Sequence, residues 1–202
     1  VQDDGGTSNS GVDLVTTSFS VSVTSVNDAP TITALEDLTI LEDAAAQSVS
    51  LSSIGPGKDN ETQVITITAV SSDTTLIANP TISYSSADVD GSLAYIPKPD
   101  QYGSATITLT VQDDGGTENN GLDQDTTTFT VTVTPVNDVP TITALEDLTI
   151  LEDASQQTVS LAGISSGKTN ESQALTVTAV SSDTTLIADP TITYTSAAAS
   201  GS

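Results

Sequence analysis

The chain has 202 residues, no cysteine or histidine, and 27 acidic residues against 3 basic ones, for a formal charge of −24. That balance excludes nucleic-acid binding, which needs Lys and Arg against phosphate, and it sets the chain against anionic membrane surfaces. It also excludes disulfides, thiolate metal sites and imidazole chemistry, leaving carboxylate and amide oxygens, a donor set that suits a hard cation such as calcium.

The chain opens with VQDDGGT (1–7), a turn rich in Asp and Gly. TSFSVSVT (17–24) then alternates apolar and hydroxyl residues, which predicts a strand, and VNDAP (26–30) reads as a linker. Residues 1–27 are therefore expected to supply the last strand of a preceding unit.

One full unit is expected over 28–137. Its alternation predicts seven strands, at about 31–41, 47–54, 64–71, 81–86, 92–96, 104–111 and 126–135. Turn sequences separate them: GPGKDNE (55–61), SSDTTLIANP (71–80), ADVDG (87–91), PKPDQYG (97–103) and DDGGTENNGLD (113–123). In the sixth strand Ala105, Ile107, Leu109 and Val111 share one face, and in the seventh Phe129, Val131 and Val133 do. Seven short alternating strands predict an all-β fold: an antiparallel Greek-key sandwich. Tyr102 stands where a tyrosine corner would lie, with a plain core tyrosine as the equal alternative. The other aromatic residues of the unit are expected to be mostly buried in strands.

From Val111 the sequence repeats, at a period of 110 residues and without insertion or deletion. VQDDGGT returns at Val111, VNDVPTITALEDLTILEDA at Val136 and SSDTTLIADPTITY at Ser181. Residues 138–202 are therefore expected to supply the first four strands of a following unit. A fixed period marks a tandem array, which builds length and spacing rather than one catalytic pocket.

The repeat also compares its own acids. DVDG (88–91) loses Asp88 and Asp90 to Ala198 and Ser200, so that calcium-like turn is not a site every unit needs. Acids kept in both copies fall at the predicted ends of the unit. Glu42, Asp43, Asn137 and Asp138 lie at one end and meet Asn170 and Glu171 of the next unit. Asn27 and Asp28 meet Asn60, Glu61, Asp113, Asp114 and Asp123 at the other. Two acidic ends facing each other with no basic residue between them repel unless a cation bridges them, and calcium takes 6–8 such oxygens.

The linker VNDAP/VNDVP, the strand end ILEDA, the NETQ/NESQ loop and the stretch VQDDGGT…TTFTVTVTPVNDVP resemble the cadherin-like and immunoglobulin-like tandem repeats of large bacterial surface proteins and adhesins, over the whole chain. The resemblance implies calcium between units. It would match Glu42, Asp100, Asn137 and Asp138 to the lower ligands, and Asn60, Glu61, Asp113 and Asp114 to the upper ones. PDQ (99–101) stands where cadherins carry DRE, and no clear DxD element follows.

The expected role is a structural spacer in an extracellular, secreted repeat protein, an adhesin stalk or surface filament stiffened by Ca2+. Its partners are neighbouring repeats, with lateral homo-assembly as an extension, and neither nucleic acid nor membrane. The alternative is a ligand-binding module, for example for carbohydrate. No catalytic residues are expected, because no carboxylate pair faces across one cleft as a glycosidase requires.

Overall fold

Alternation decides which side chains meet, and register decides where. The computed structural model describes residues 1–202. Seven strands lie between Leu38 and Thr134: β1 (Leu38–Leu41), β2 (Gln47–Leu51), β3 (Thr66–Ser71), β4 (Thr81–Ser83), β5 (Gly91–Tyr95), β6 (Gly103–Gln112) and β7 (Gln124–Thr134). They form two sheets, in the orders β1-β7-β6-β3 and β2-β5-β4. All pairs are antiparallel except β1 with β7, which run parallel. The chain changes sheet between β1 and β2, β2 and β3, β3 and β4, and β5 and β6. The architecture is an all-β sandwich.

The inward residues of β6 and β7 form its centre. Ile107, Leu109, Val111 and Val131 have no exposed surface, and Phe129 has 2%. Leu51, Leu93 and Tyr95 close the core from the second sheet, with Leu76 and Ile77 from the loop before β4. Outward positions on β6 and β7 are Ser or Thr from Ser104 to Thr110 and from Thr126 to Thr134. These residues suit a pleated, half-wet surface and add no charge to an already acidic molecule.

The first predicted strand is the one that differs most. Instead of running continuously over 31–41, the segment bridges Thr31 to Gly55 beside β2, and Thr33 N–H donates to Ser52 O at 2.9 Å. It then crosses to the other sheet and pairs with β7 from Leu38 onward. The Asp37 carboxylate marks the arrival, accepting Thr130 N–H at 2.6 Å. Alternation is blind to such a crossing, because apolar residues on either sheet face the same core. Tyr102 is 52% exposed, so it is neither a core tyrosine nor a buried corner.

The flanking copies repeat parts of this frame. Thr141 bridges Ser165 as Thr31 bridges Gly55. β8 (Leu161–Ala162) pairs with β9 (Ser200–Gly201) as Leu51 pairs with Gly91. Near the start, Gln2 bridges Leu14, the counterpart of Gln112 with Gln124 at the tip of the β6–β7 hairpin. Phe19, Val21 and Val23, the copies of Phe129, Val131 and Val133, are 88%, 74% and 92% exposed.

The turn before β4 carries a local device kept in both copies. Asp73 Oδ1 accepts Thr75 Oγ1 at 2.6 Å, Thr75 N–H at 2.9 Å and Leu76 N–H at 3.2 Å. Asp183 accepts Thr185 Oγ1 and N–H at 2.6 and 2.9 Å. The threonine hydroxyl first, then the threonine amide, hold both carboxyls below their ordinary value of 3.8. A carboxylate held below its unfolded value adds stability above that value, and the gain is lost as pH falls through the lowered one. Carboxyl NMR titration is expected to show Asp73 and Asp183 protonating at lower pH than an unstructured aspartate. Ordinary titration of either would contradict the turn.

Candidate metal centre at the unit junction

Topology alone brings three separated carboxylates to one end of the sandwich. β1 and β7 run parallel, so Leu41 and Thr134 finish side by side. β6 runs against β7 and starts there, with Gly103 opposite Val133. The residues after β1, before β6 and after β7 therefore converge. Asp43, Asp100 and Asp138 each place one carboxylate oxygen within 4.8 Å of the others. Asp43 and Asp100 both sit in the left-handed region, at φ 59° and 55°, a conformation aspartate tolerates better than most residues. Asp100 N–H donates to Asp43 Oδ1 at 3.0 Å, which sets the two loops against each other.

Glu42, one residue earlier, is a 2%-exposed carboxylate with two hydrogen bonds. Its Oε1 accepts Val136 N–H at 2.6 Å and its Oε2 accepts Asn170 Nδ2 at 2.7 Å. The first bond fixes the linker to β1, and the second crosses to the next copy. Glu171 Oε1 accepts Asp138 N–H at 2.7 Å. Gly167, at φ 128°, lies so close that a Cβ there would come 2.7 Å from Glu171 Oε2 and 2.8 Å from Asp138 Cβ. Asn137 remains exposed, its Nδ2 donating to Asp138 O at 3.1 Å.

The opposite end collects the upper set by the same logic. β3 starts where β6 finishes, with Thr66 opposite Gln112. Asn27 Nδ2 donates to Asp113 Oδ1 at 2.9 Å and to Leu122 O at 2.7 Å, while its Oδ1 accepts Gln63 Nε2 at 2.7 Å. A side chain at Gly115 would overlap the Asn27 amide. Glu61 Oε1 accepts Asp28 N–H at 2.9 Å, and Asp114 Oδ1 accepts Val64 N–H at 2.8 Å. Asp123 contributes its backbone oxygen to Asp113 N–H at 2.9 Å, and Asn60 is exposed. Asn137 makes none of the contacts that dock Asn27 on Asp113 and Leu122.

Several buried side-chain oxygens at these ends have no hydrogen-bond donor: Gln63 Oε1, Asp113 Oδ2, Asn170 Oδ1 and Glu171 Oε2. Asp113 itself is only 5% exposed. The other buried polar atoms without a partner are three tyrosine hydroxyls, and Asp100 Oδ1 has only the Lys168 ammonium beside it.

The expectation of no basic residue between the ends needs correction. Lys168 reaches across the junction, its ammonium 3.1 Å from Asp100 Oδ1 and 3.2 Å from Asp100 Oδ2. The hydrogen bond to Asp100, then the charges of Asp100, Asp138 and Asp43, raise the Lys168 amine above its ordinary value of 10.5. A raised amine adds stability that is full below its unfolded value and lost as pH rises through the folded one. Sequence reasoning passed over this lysine because it searched the ends for oxygen ligands. The usable signal was its position: Lys58 and Lys168 are copies of each other, and Lys98 lies two residues before Asp100.

No family model matches the chain, and no curated protein matches it. Among solved structures it is similar to the titin domains Z1Z2 in complex with telethonin, at 18% identity and TM-score 0.38, over 59% of this chain and 55% of that one. It is also similar to domains 1–6 of the surface layer protein SbsC, at 14% identity and TM-score 0.32, over 62% of this chain and 16% of that one. The chain thus spans about half of the first and under a fifth of the second. Likenesses this distant carry no argument, and the sandwich is read from its own strands. No helix is long and apolar enough to cross a membrane.

Proposed function

We propose that this chain is a stretch of an extracellular tandem array whose sandwich units act as spacers, joined end to end through Ca2+ at their acidic junctions. The observation that carries the reading is the set of buried, donorless acceptor oxygens. Apart from tyrosine hydroxyls, they are Gln63 Oε1, Asp113 Oδ2, Asn170 Oδ1 and Glu171 Oε2, all on residues at a unit end. A buried acceptor without a donor costs free energy, and a carboxylate costs more. A hard cation relieves such atoms and recruits more oxygens. Asp43, Asp100 and Asp138 would hold it from below, with Asn170 and Glu171 from above. The Glu42 oxygens already serve Val136 and Asn170, which suits Glu42 better to orienting Asn170 than to direct ligation.

A cation shared by two units fixes their angle, and binding to the folded state alone stabilises it by about 2.7 kcal/mol per site at 100-fold excess over Kd. Thermal unfolding and small-angle scattering of the chain, in calcium and then in chelator, test this. Calcium is expected to raise Tm and narrow the distribution of dimensions. Identical Tm and dimensions in both buffers would leave a metal-independent array. Asp138→Ala is expected to weaken calcium binding at least tenfold, whereas Asp90→Ala, already Ser200 in the other copy, leaves it unchanged.

One observation favours the ligand-binding alternative. Exposed Tyr102 lines a groove of about 450 Å³ with Asn137, Asn170 and Gln173, an aromatic face beside amides that could receive a sugar. Tyr102→Ala would abolish glycan retention under that reading and leave calcium binding intact.

A further inference from the structure

We propose that Lys168 is the resident cation of the second junction: it ties the units together when no metal is bound, and it must leave Asp100 for a metal to bind there. The competition rests on the calcium reading above, whereas the tie does not. Three features carry it. First, the ammonium spans both Asp100 oxygens, at 3.1 and 3.2 Å, so neither is free for a metal while the lysine stays. Second, Asp100 belongs to the same carboxylate trio as Asp43 and Asp138, so lysine and metal answer the same negative charge. Third, the placement is periodic: Lys58 occupies the same position of its copy and is exposed, with its side chain making no ion pair in this chain.

The chemistry makes the lysine a setter of affinity. With Lys168 in place, one positive charge answers three carboxylates and the site stays net negative, so it still attracts a divalent ion. That ion must displace an ammonium held by two contacts, and the displaced charge then repels it at short range. Removing the ammonium is expected to tighten calcium binding by about threefold to tenfold, the range for one partly screened charge near a divalent ion. The lysine thus trades calcium affinity for a metal-free contact across the junction, beside the Glu42–Asn170 and Asp138–Glu171 hydrogen bonds.

The test uses the full chain as wild type, Lys168→Met and Lys168→Arg. Lys168 is half exposed, and methionine keeps the apolar stem, so both variants are expected to fold. Calcium chloride titrated calorimetrically should bind Lys168→Met more tightly than wild type. Equal or weaker binding overturns the competition. In chelator, spin labels at Thr106→Cys and Ser160→Cys, in a chain without other cysteines, report the spread of distances across the junction. A narrow distribution in wild type and Lys168→Arg, and a broad one in Lys168→Met, supports the tie, while equally narrow distributions in all three overturn it. If no protein binds calcium, the metal reading and the competition fall together, and the chelator arm alone decides the tie.

Discussion

Phe129→Ala is expected to lower the stability of the sandwich by about 3–5 kcal/mol, while Phe19→Ala, the same substitution in the other copy, stays within about 0.5 kcal/mol. Both phenylalanines sit in a TxF-type strand with valines two and four residues on. Phe129 is 2% exposed and pairs with Ile107 across β6, in the layer formed by Leu109, Val131 and Leu93. Truncating it leaves a ring-sized cavity that close-packed neighbours fill only in part. Phe19 is 88% exposed and has no core to leave. Domains of this size have about 5–15 kcal/mol in total, so the first change consumes a large share of it. Denaturant unfolding of the two variants measures the contrast, and equal losses would mean that residues 17–24 are packed like β7.

Glu42→Ala is expected to cost about 2–4 kcal/mol and to uncouple the second junction, whereas Glu152→Ala should be nearly silent. Hydrogen bonds to a charged acceptor are worth about 1.5–3 kcal/mol each, and the desolvation of a buried carboxylate offsets part of that sum. Glu42 holds Val136 N–H and the Asn170 amide from a buried position. Glu152, in an identical ILEDA sequence, is exposed. Glu42→Gln is the informative intermediate: its amide oxygen can still accept one bond, but its NH2 faces the Asn170 amide as a second donor. Hydrogen exchange at the Val136 backbone amide should rise in Glu42→Ala. Unchanged protection would show that the linker is held without it.

Much of this molecule was legible in its sequence because the relevant physics is local. Period-2 alternation needs only neighbouring residues, so most of the strands and the inward faces of β6 and β7 followed from it. The 110-residue period was legible for a different reason, since it needs only the comparison of one stretch of the chain with another. Four things needed tertiary structure. Asp43, Asp100 and Asp138 form one cluster only because β1 and β7 run parallel while β6 opposes them, which is a matter of strand order. The crossing between Thr33 and Leu38 was hidden because both sheets accept the same apolar face. The burial of Glu42 was hidden because its partners lie 94 and 128 residues away. Lys168 at the junction escaped because a flexible side chain finds its carboxylate through space, and composition counted it only as one of three charges against 27. Equivalent positions with opposite burial, Phe19 with Phe129 and Glu42 with Glu152, give the reason: sequence limits what a residue can bury, and only the presence of its partner strands decides whether it does.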